Sequence, residues 1–383
     1  MIAEQLDLEA INDLIKVTVV IGLFVFWIAS RDIPIVLALL VAILRVFIPF
    51  IYFAFFNDGT WNFLDDITYQ LQGTIMLELG YDPISALIDE NGLGELMGLS
   101  LGKHILYGWW NVLAQYLFGK HYFSSVYLNI ALTFLIGYYL VRIAQLCGFS
   151  RAYSTKLLLF FLVHWELVPW SSMINLKDIL IMFLTVVVFF AVLKITEGKI
   201  QYLILLSIPI YCFYWLRFYI PFMILFATLI WVVLFMEGRN KYFLLICVMF
   251  VVRIVMPSIQ AGLEEQGENI SPSLMGLIVG PFRMLSLTPQ PWSIQPEYTF
   301  LFISSILNWI FFLPALIGGW NLWRQSKKAS LLLVYLIISL MFYANFPGQD
   351  GPRHRVQLMF IIVWIEFHFL HKAWYKNVPT LKT

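Results

Sequence analysis

Long apolar runs separated by short polar stretches set the pattern of this chain. Runs able to cross about 30 Å of hydrocarbon at about 1.5 Å per helical residue lie near 14–30, 34–56, 123–147, 156–173 and 179–196. Six more lie near 202–217, 219–236, 241–256, 298–320, 329–346 and 357–372. The two that meet at Arg217 are short enough to form one long tilted helix, so the pattern predicts ten or eleven crossings. The expected fold is an all-α polytopic transmembrane bundle, because a backbone in lipid must satisfy its hydrogen bonds within each segment. A long loop separates the second and third runs. Within it, 104–119 carries Trp109, Trp110, Asn111, Gln115 and Tyr116, a mixture suited to the headgroup region and read as an interfacial or re-entrant helix.

Composition supports this pattern. Of 383 residues 61% are hydrophobic and only 12% charged, with a mean hydropathy of +0.82. A soluble domain with that balance would carry more apolar surface than a core can hide. No polar stretch is long enough for an independent domain, so residues 1–383 read as a single membrane domain. The net charge of +1 and the absence of a basic stripe interleaved with aromatics exclude nucleic acid as a partner. Cys147, Cys212 and Cys247 lie in or beside apolar runs without metal-ligand spacing. The acidic first residues lack the basic segment of a signal peptide, so the first apolar run is expected to stay in the mature chain.

Basic residues in short connections orient the bundle, since Lys and Arg are retained on the cytoplasmic side. With the N-terminus outside, that side receives Arg31, Arg151, Lys156, Lys194, Lys199, Arg239, Lys241, Arg324, Lys327, Lys328, Lys372, Lys376 and Lys382. The outer face receives Lys103, Lys120, Lys177, Arg217, Arg283, Arg353 and Arg355, although it holds the two longest loops. Eleven crossings put the C-terminus inside.

The candidate chemistry collects on the outer face. Asp65 and Asp66 sit just beyond the second run. Adjacent carboxylates can hold a divalent cation, act as general base and substrate orienter, or cap a helix. Lys177 and Asp178 form either a phosphate contact or a local ion pair at a helix start. His164 and Glu166, nearer the membrane interior, face a cavity or make an interhelical hydrogen bond. Arg217 lies among aromatics that can stack on its guanidinium, or it snorkels to the interface. Arg353 and Arg355 flank His354 directly before the last run, and paired guanidiniums match a phosphate or an anionic headgroup. Glu264, Glu265 and Glu268, in the loop 257–297, read as a solvated face.

Asp65-Asp66-Ile67-Thr68-Tyr69 with Gly73 resembles the acidic pair in the first extracytoplasmic loop of the GT-C superfamily of polytopic membrane glycosyltransferases. The stretch from Tyr107 through Gly119 and Asn129 to Gly148, then Pro169 and Leu176-Lys177-Asp178, is similar to that superfamily's interfacial helix, third crossing and short outer loop. Gly351-Pro352-Arg353-His354-Arg355 is similar to the Arg-Tyr-Arg element before a late helix in many bacterial members, with His354 in place of the usual Tyr. The resemblance implies a sugar transfer from a polyprenyl-phosphate-linked donor to a lipid or glycan acceptor on the extracytoplasmic face. Asp65 or Asp66 would be the base that activates the acceptor hydroxyl. Arg353 and Arg355 would contact the donor phosphate, with Lys177 and Arg217 as second choices and Tyr69, Asp178, Glu166 and His354 as further substrate contacts. A divalent cation at Asp65 and Asp66 stays open. Without the large soluble C-terminal domain of many members, the chain fits a short bacterial inner-membrane enzyme of surface polysaccharide, lipid or glycoconjugate assembly. The rival readings are a polysaccharide polymerase joining lipid-linked oligosaccharides, a transporter, and a non-catalytic assembly subunit.

Overall fold

The structure, a computed structural model, describes residues 7–58, 61, 63–236, 241, 242, 246, 274–344 and 352–375. The expected crossing at 241–256, the glutamates at 264, 265 and 268 and the turn 345–351 lie outside these residues or nearly so. Every regular element among the described residues is helical. The chain opens with α1 (Leu8–Ala29), whose first turn is capped by Asp7 accepting from the Ala10 amide at 2.7 Å. Next is α2 (Ile35–Ile51), which continues through one π turn to Phe56. The loop that follows folds into α3 (Asp65–Glu78), α4 (Ser85–Ile88), α5 (Glu90–Leu99) and α6 (Ile105–Phe118). Then come α7 (Tyr122–Leu146), α8 (Arg151–Leu162), α9 (Leu167–Met173) and α10 (Lys177–Thr196). The later part holds α11 (Tyr202–Tyr214), α12 (Ile220–Phe235), α13 (Leu274–Phe282), α14 (Phe302–Gln325), α15 (Ser330–Ala344), α16 (Arg353–Val356) and α17 (Met359–Tyr375).

Five described segments are long and apolar enough to cross a membrane: Leu8–Ala29, Ile35–Phe56, Tyr122–Leu146, Lys177–Thr196 and Pro296–Gln325. Tyr202–Tyr214, Ile220–Phe235, Ile278–Leu287 and Ser330–Ala344 are apolar but shorter. Burial sorts these helices into layers. α7 and α10 are buried on nearly every side, whereas α1, α2 and α14 expose Leu23, Leu40, Ile303 and Leu313 along their flanks. An exposed apolar belt of that kind needs lipid around it.

Two apolar runs fold differently from a single straight crossing. The run 156–173 breaks between α8 and α9, since Pro169 lacks an N–H and its ring would clash with the Trp165 carbonyl in a continuous helix. That carbonyl instead accepts from Ser304 Oγ at 2.7 Å. The runs around Arg217 are two helices. Pro221 forbids helix through Arg217 and takes a place in the first turn of α12, where no donor is required.

Small residues set the closest approaches. A Cβ on Gly73 would lie 2.7 Å from Gln115 Nε2, and one on Gly137 would lie 2.5 Å from the Leu158 side chain. Gly73 thus serves the packing of α3 on α6. The tightest contact joins α14 to α17, where a Cβ on Gly318 would lie 2.0 Å from the Ile365 carbonyl oxygen. Gly318→Ala is expected to cost about 1–3 kcal/mol by forcing the backbones apart. Gly94→Ala, with nothing within 4 Å of the new methyl, should stabilise α5 by about 0.5–1 kcal/mol. Thermal unfolding in detergent distinguishes the two signs.

Candidate functional site

The acidic pair is formed by a sharp entry into α3. Leu64 takes a positive φ of 46°, and Asp65 and Asp66 occupy the first turn, where carboxylates are favoured by the free amides and the helix dipole. The two side chains then part company. Asp66 is fully buried. Its Oδ1 accepts from the Phe63 and Ile67 amides at 3.0 and 2.8 Å, and its Oδ2 accepts from Tyr122 Oη at 2.5 Å. Asp65 keeps 39% of its side chain exposed and faces cations. Its Oδ1 accepts from Arg353 Nη1 at 2.9 Å, and its Oδ2 lies 2.8 Å from Arg353 Nη2 and 3.7 Å from Lys177 Nζ.

This separation reaches the acidities. Burial opposes the charge on Asp65, but the hydrogen bond and charge of Arg353, with Lys177 behind them, outweigh it and hold the carboxyl below its ordinary range. Burial raises Asp66 above its ordinary value despite hydrogen bonds from Tyr122, Phe63 and Ile67, and the neighbouring Asp65 charge adds to the rise. Two adjacent carboxyls are thereby given different roles.

A network of neutral polar groups fixes Asp66 from behind. Tyr122 Oη also accepts from the Asn175 amide at 2.9 Å. Asn175, in the extended link between α9 and α10, donates to the Asp66 carbonyl at 3.2 Å and to Asn111 Oδ1 at 2.8 Å. It accepts from Tyr107 Oη at 2.6 Å, and Tyr107 Oη accepts from Asn129 Nδ2 at 2.9 Å. Ser125 completes the set by donating to Asn111 Oδ1 at 2.6 Å. These groups clamp α3, α6, α7 and the α9–α10 link, and each bond is strong because the surroundings are dry.

In front of Asp65 lies a cluster drawn from four distant parts of the sequence. Lys177, at the start of α10, donates through Nζ to Tyr69 Oη and is nearly fully buried. Asp178, also buried, lies 3.2 Å from Arg353 Nε and 3.3 Å from Arg217 Nη2. Arg217 Nη1 donates to His354 Nδ1 at 3.3 Å, and the His354 ring stacks on Tyr343 at 4.9 Å and 10°. His104 joins the rim through a 2.5 Å contact from Nδ1 to the Leu216 carbonyl; burial and the nearby Lys177 and Arg217 push its ring down to about 3. Three basic side chains, Lys177, Arg217 and Arg353, thus face two carboxylates, Asp65 and Asp178. Arg353 Nη2 is ion-paired with Asp65 Oδ2 at 2.8 Å but out of line for a hydrogen bond.

Arg355 and Glu166 are not in this cluster. Arg355 is fully buried, donating through Nε and Nη2 to Glu166 Oε1 at 2.9 and 2.5 Å and through Nη1 to the Met284 carbonyl at 3.3 Å. Glu166 Oε2 accepts from Asn308 Nδ2 at 2.9 Å. The expected pairing of Arg353 with Arg355 on one phosphate is therefore corrected: Arg353 reaches the cluster, whereas both hydrogen-bonding edges of Arg355 are consumed within the bundle. His164, in the break between α8 and α9, shares a hydrogen bond with Glu366 Oε2 on α17 at 2.8 Å. A cation shared by the acidic pair also lacks its donor set. Both Asp66 oxygens are engaged and those of Asp65 face Arg353 and Lys177, whose charges repel a metal.

Sequence reasoning missed Tyr122, Asn175 and Asn111 as supports of the acidic pair. Their signal was available in the polar residues interrupting apolar stretches. It also missed Arg45, fully buried in α2, whose guanidinium donates to Ser171 at 2.6 Å, Thr133 at 3.1 Å and Ser172 at 3.3 Å. No family model, curated protein or solved structure matches the chain.

Proposed function

We propose that this chain is a membrane glycosyltransferase that moves a sugar from a polyprenyl-phosphate-linked donor to a lipid or glycan acceptor. The observation that carries this reading is the half-exposed Asp65 carboxylate set against the buried basic side chains Lys177, Arg217 and Arg353. Arg353, which would exchange its pairing with Asp65 for the phosphate, and Lys177 would hold the donor phosphate, and Arg217 would add positive charge behind Asp178. Asp65 would take the proton of the acceptor hydroxyl. The acceptor oxygen bonds to the anomeric carbon, the bond from that carbon to the phosphate oxygen breaks, and the leaving phosphate carries the negative charge.

The ion pair between Arg353 and Asp65 gives this scheme an order. An Asp65 held by Arg353 is a weak base. A phosphate that draws Arg353 away removes the charge that stabilises the carboxylate and makes Asp65 more basic when the donor is in place. The isoprenoid chain has a site of matching chemistry in an apolar cavity of about 650 Å³ lined by Ile278, Phe282, Trp320, Leu336 and Leu340. Leu285, also on its wall, adjoins Met284, whose carbonyl binds Arg355. In this reading the bundle crosses the bacterial inner membrane ten or eleven times with the cluster on the extracytoplasmic face, as the Lys and Arg distribution favours.

The test is transfer of labelled sugar from a polyprenyl-phosphate donor by the purified protein in nanodiscs. Absence of transfer and of donor breakdown across acceptor classes overturns the reading. Arg353→Ala should raise the donor KM about 10–100-fold, the loss expected for charge-assisted hydrogen bonds of about 1.5–3 kcal/mol. An unchanged donor KM would remove Arg353 from the phosphate site.

A further inference from the structure

His354 has a geometry that fixes its protonation. Its Nδ1 faces Arg217 Nη1 at 3.3 Å, and a guanidinium has only donors, so Nδ1 must be the acceptor. A neutral imidazole that accepts at Nδ1 carries its single proton on Nε2. The stack on Tyr343 fixes the plane of the ring, and the Arg217 contact selects which edge faces the guanidinium. The neighbours on other elements reinforce the neutral form: Arg217 before α12, Arg353 on the same short helix and Lys177 at the start of α10 oppose a second proton, with Asp178 alone favouring it. Burial and these cations push the ring down to about 3. His354 is thus a donor with no charge of its own, held beside three cations whose charges are already partly spent on Asp65 and Asp178.

We infer that His354 is a neutral imidazole locked by Arg217 as the Nε2–H tautomer and that its Nε2–H donates a hydrogen bond to the phosphate-class anion held by this cluster. It neither takes nor gives up the transferred proton. This role rests on the phosphate-binding part of the function proposed above and is independent of whether the sugar is transferred. It separates two jobs in the cluster: the cations supply attraction that reaches any anion, and the imidazole supplies one directional donor whose strength does not change with pH across the physiological range. A second imidazolium charge beside Arg353 would tighten anion binding below pH 7, whereas a locked neutral ring leaves that binding flat.

The experiment uses the full-length protein with ¹⁵N-labelled histidine in nanodiscs, with the His354 signals identified by their loss in His354→Gln. Nitrogen NMR at pH 7 and pH 5 should show a protonated Nε2 and an unprotonated Nδ1 at both values. Polyprenyl phosphate and inorganic pyrophosphate are then added as separate probes, and the Nε2 resonance should move with at least one. Binding of the lipid phosphate should weaken about tenfold or more in His354→Phe and stay within about threefold in His354→Gln, which keeps an N–H donor. An imidazolium or Nδ1–H tautomer at pH 7, or full affinity in a folded His354→Phe, overturns the inference. If wild-type protein binds neither probe, the phosphate site falls with it. If binding follows the expected pattern and no sugar is transferred, the inference stands and the transferase reading fails. A response to pyrophosphate without one to the lipid phosphate assigns the site to a free anion.

Discussion

Asp65→Asn is expected to lower the rate of sugar transfer about 10²–10⁴-fold, the usual range for loss of a positioned general base, while costing only about 0.2–1 kcal/mol, the contribution of a half-exposed ion pair to stability. The carboxylate is half-exposed and its partners, Arg353 and Lys177, keep Asp178 or Tyr69 as alternatives, so the fold does not depend on it. Asp66→Asn should behave in the opposite way. The amide oxygen can still accept from the Phe63 and Ile67 amides, but the amide nitrogen would point a donor at Tyr122 Oη, which already receives the Asn175 amide. The Tyr122 proton then has no acceptor, at a cost of about 1–3 kcal/mol for a buried unsatisfied group. Measured together, transfer rate and thermal unfolding separate a catalytic carboxylate from a supporting one. Two variants with equal activity would end the assignment of Asp65 as base.

The pH dependence follows from the same geometry. In the free protein Asp65 is held below its ordinary value of 3.8, so the carboxylate form persists as pH falls and is lost only on crossing the depressed value. Its ion pair with Arg353 contributes stability above the unfolded-state value and loses it through the depressed one. Activity with donor in excess should instead fail at a higher pH than donor-free stability does, because a phosphate on Arg353 releases Asp65 toward a more basic value. Coincident acid limbs would mean that Arg353 does not leave Asp65.

Much of the bundle was legible because lipid imposes a simple rule on side chains and backbone alike. Runs such as 123–147 and 179–196 became α7 and α10 with little change of boundary. The run 156–173 did not, since hydropathy averages over the one residue, Pro169, that decides whether the helix continues. The site was legible as a set of charges that break the expected pattern: Asp65, Lys177, Asp178, Arg217 and Arg353 do meet. Which member of each pair does so was hidden by helical geometry. Neighbours on a helix point about 100° apart and residues two apart about 200°, so Asp65 and Asp66 face different partners and Arg353 and Arg355 face opposite ways. Spacing alone cannot say which direction is the interior when both candidates carry the same charge. Tyr122, Asn175 and Asn111 were missed for another reason. Each is a single polar residue in an apolar neighbourhood, and their meaning lies in a network spread over several elements.

Breaking the buried pair of Arg355 and Glu166 should produce a large loss of stability. Arg355→Met leaves Glu166 with an uncompensated buried oxygen, and Glu166→Met strands the guanidinium between Met284 and α9. Each single change is expected to cost about 3–5 kcal/mol, because the remaining charge keeps its desolvation penalty and loses the partner that offset it. The double change to Met removes both charges, and such replacements are often neutral or favourable, so it should recover most of the loss. Restored folding need not restore function. Arg355 sits on the four-residue α16 with Arg353 and His354, and its two bonds to Glu166 are what tie that helix to the break between α8 and α9. The double variant should therefore melt near wild type yet bind donor less tightly, as Arg353 loses its fixed direction toward Asp65 and Asp178. A single Arg355→Met that melts like wild type would show that the pair is not structural and would return Arg355 to the phosphate site.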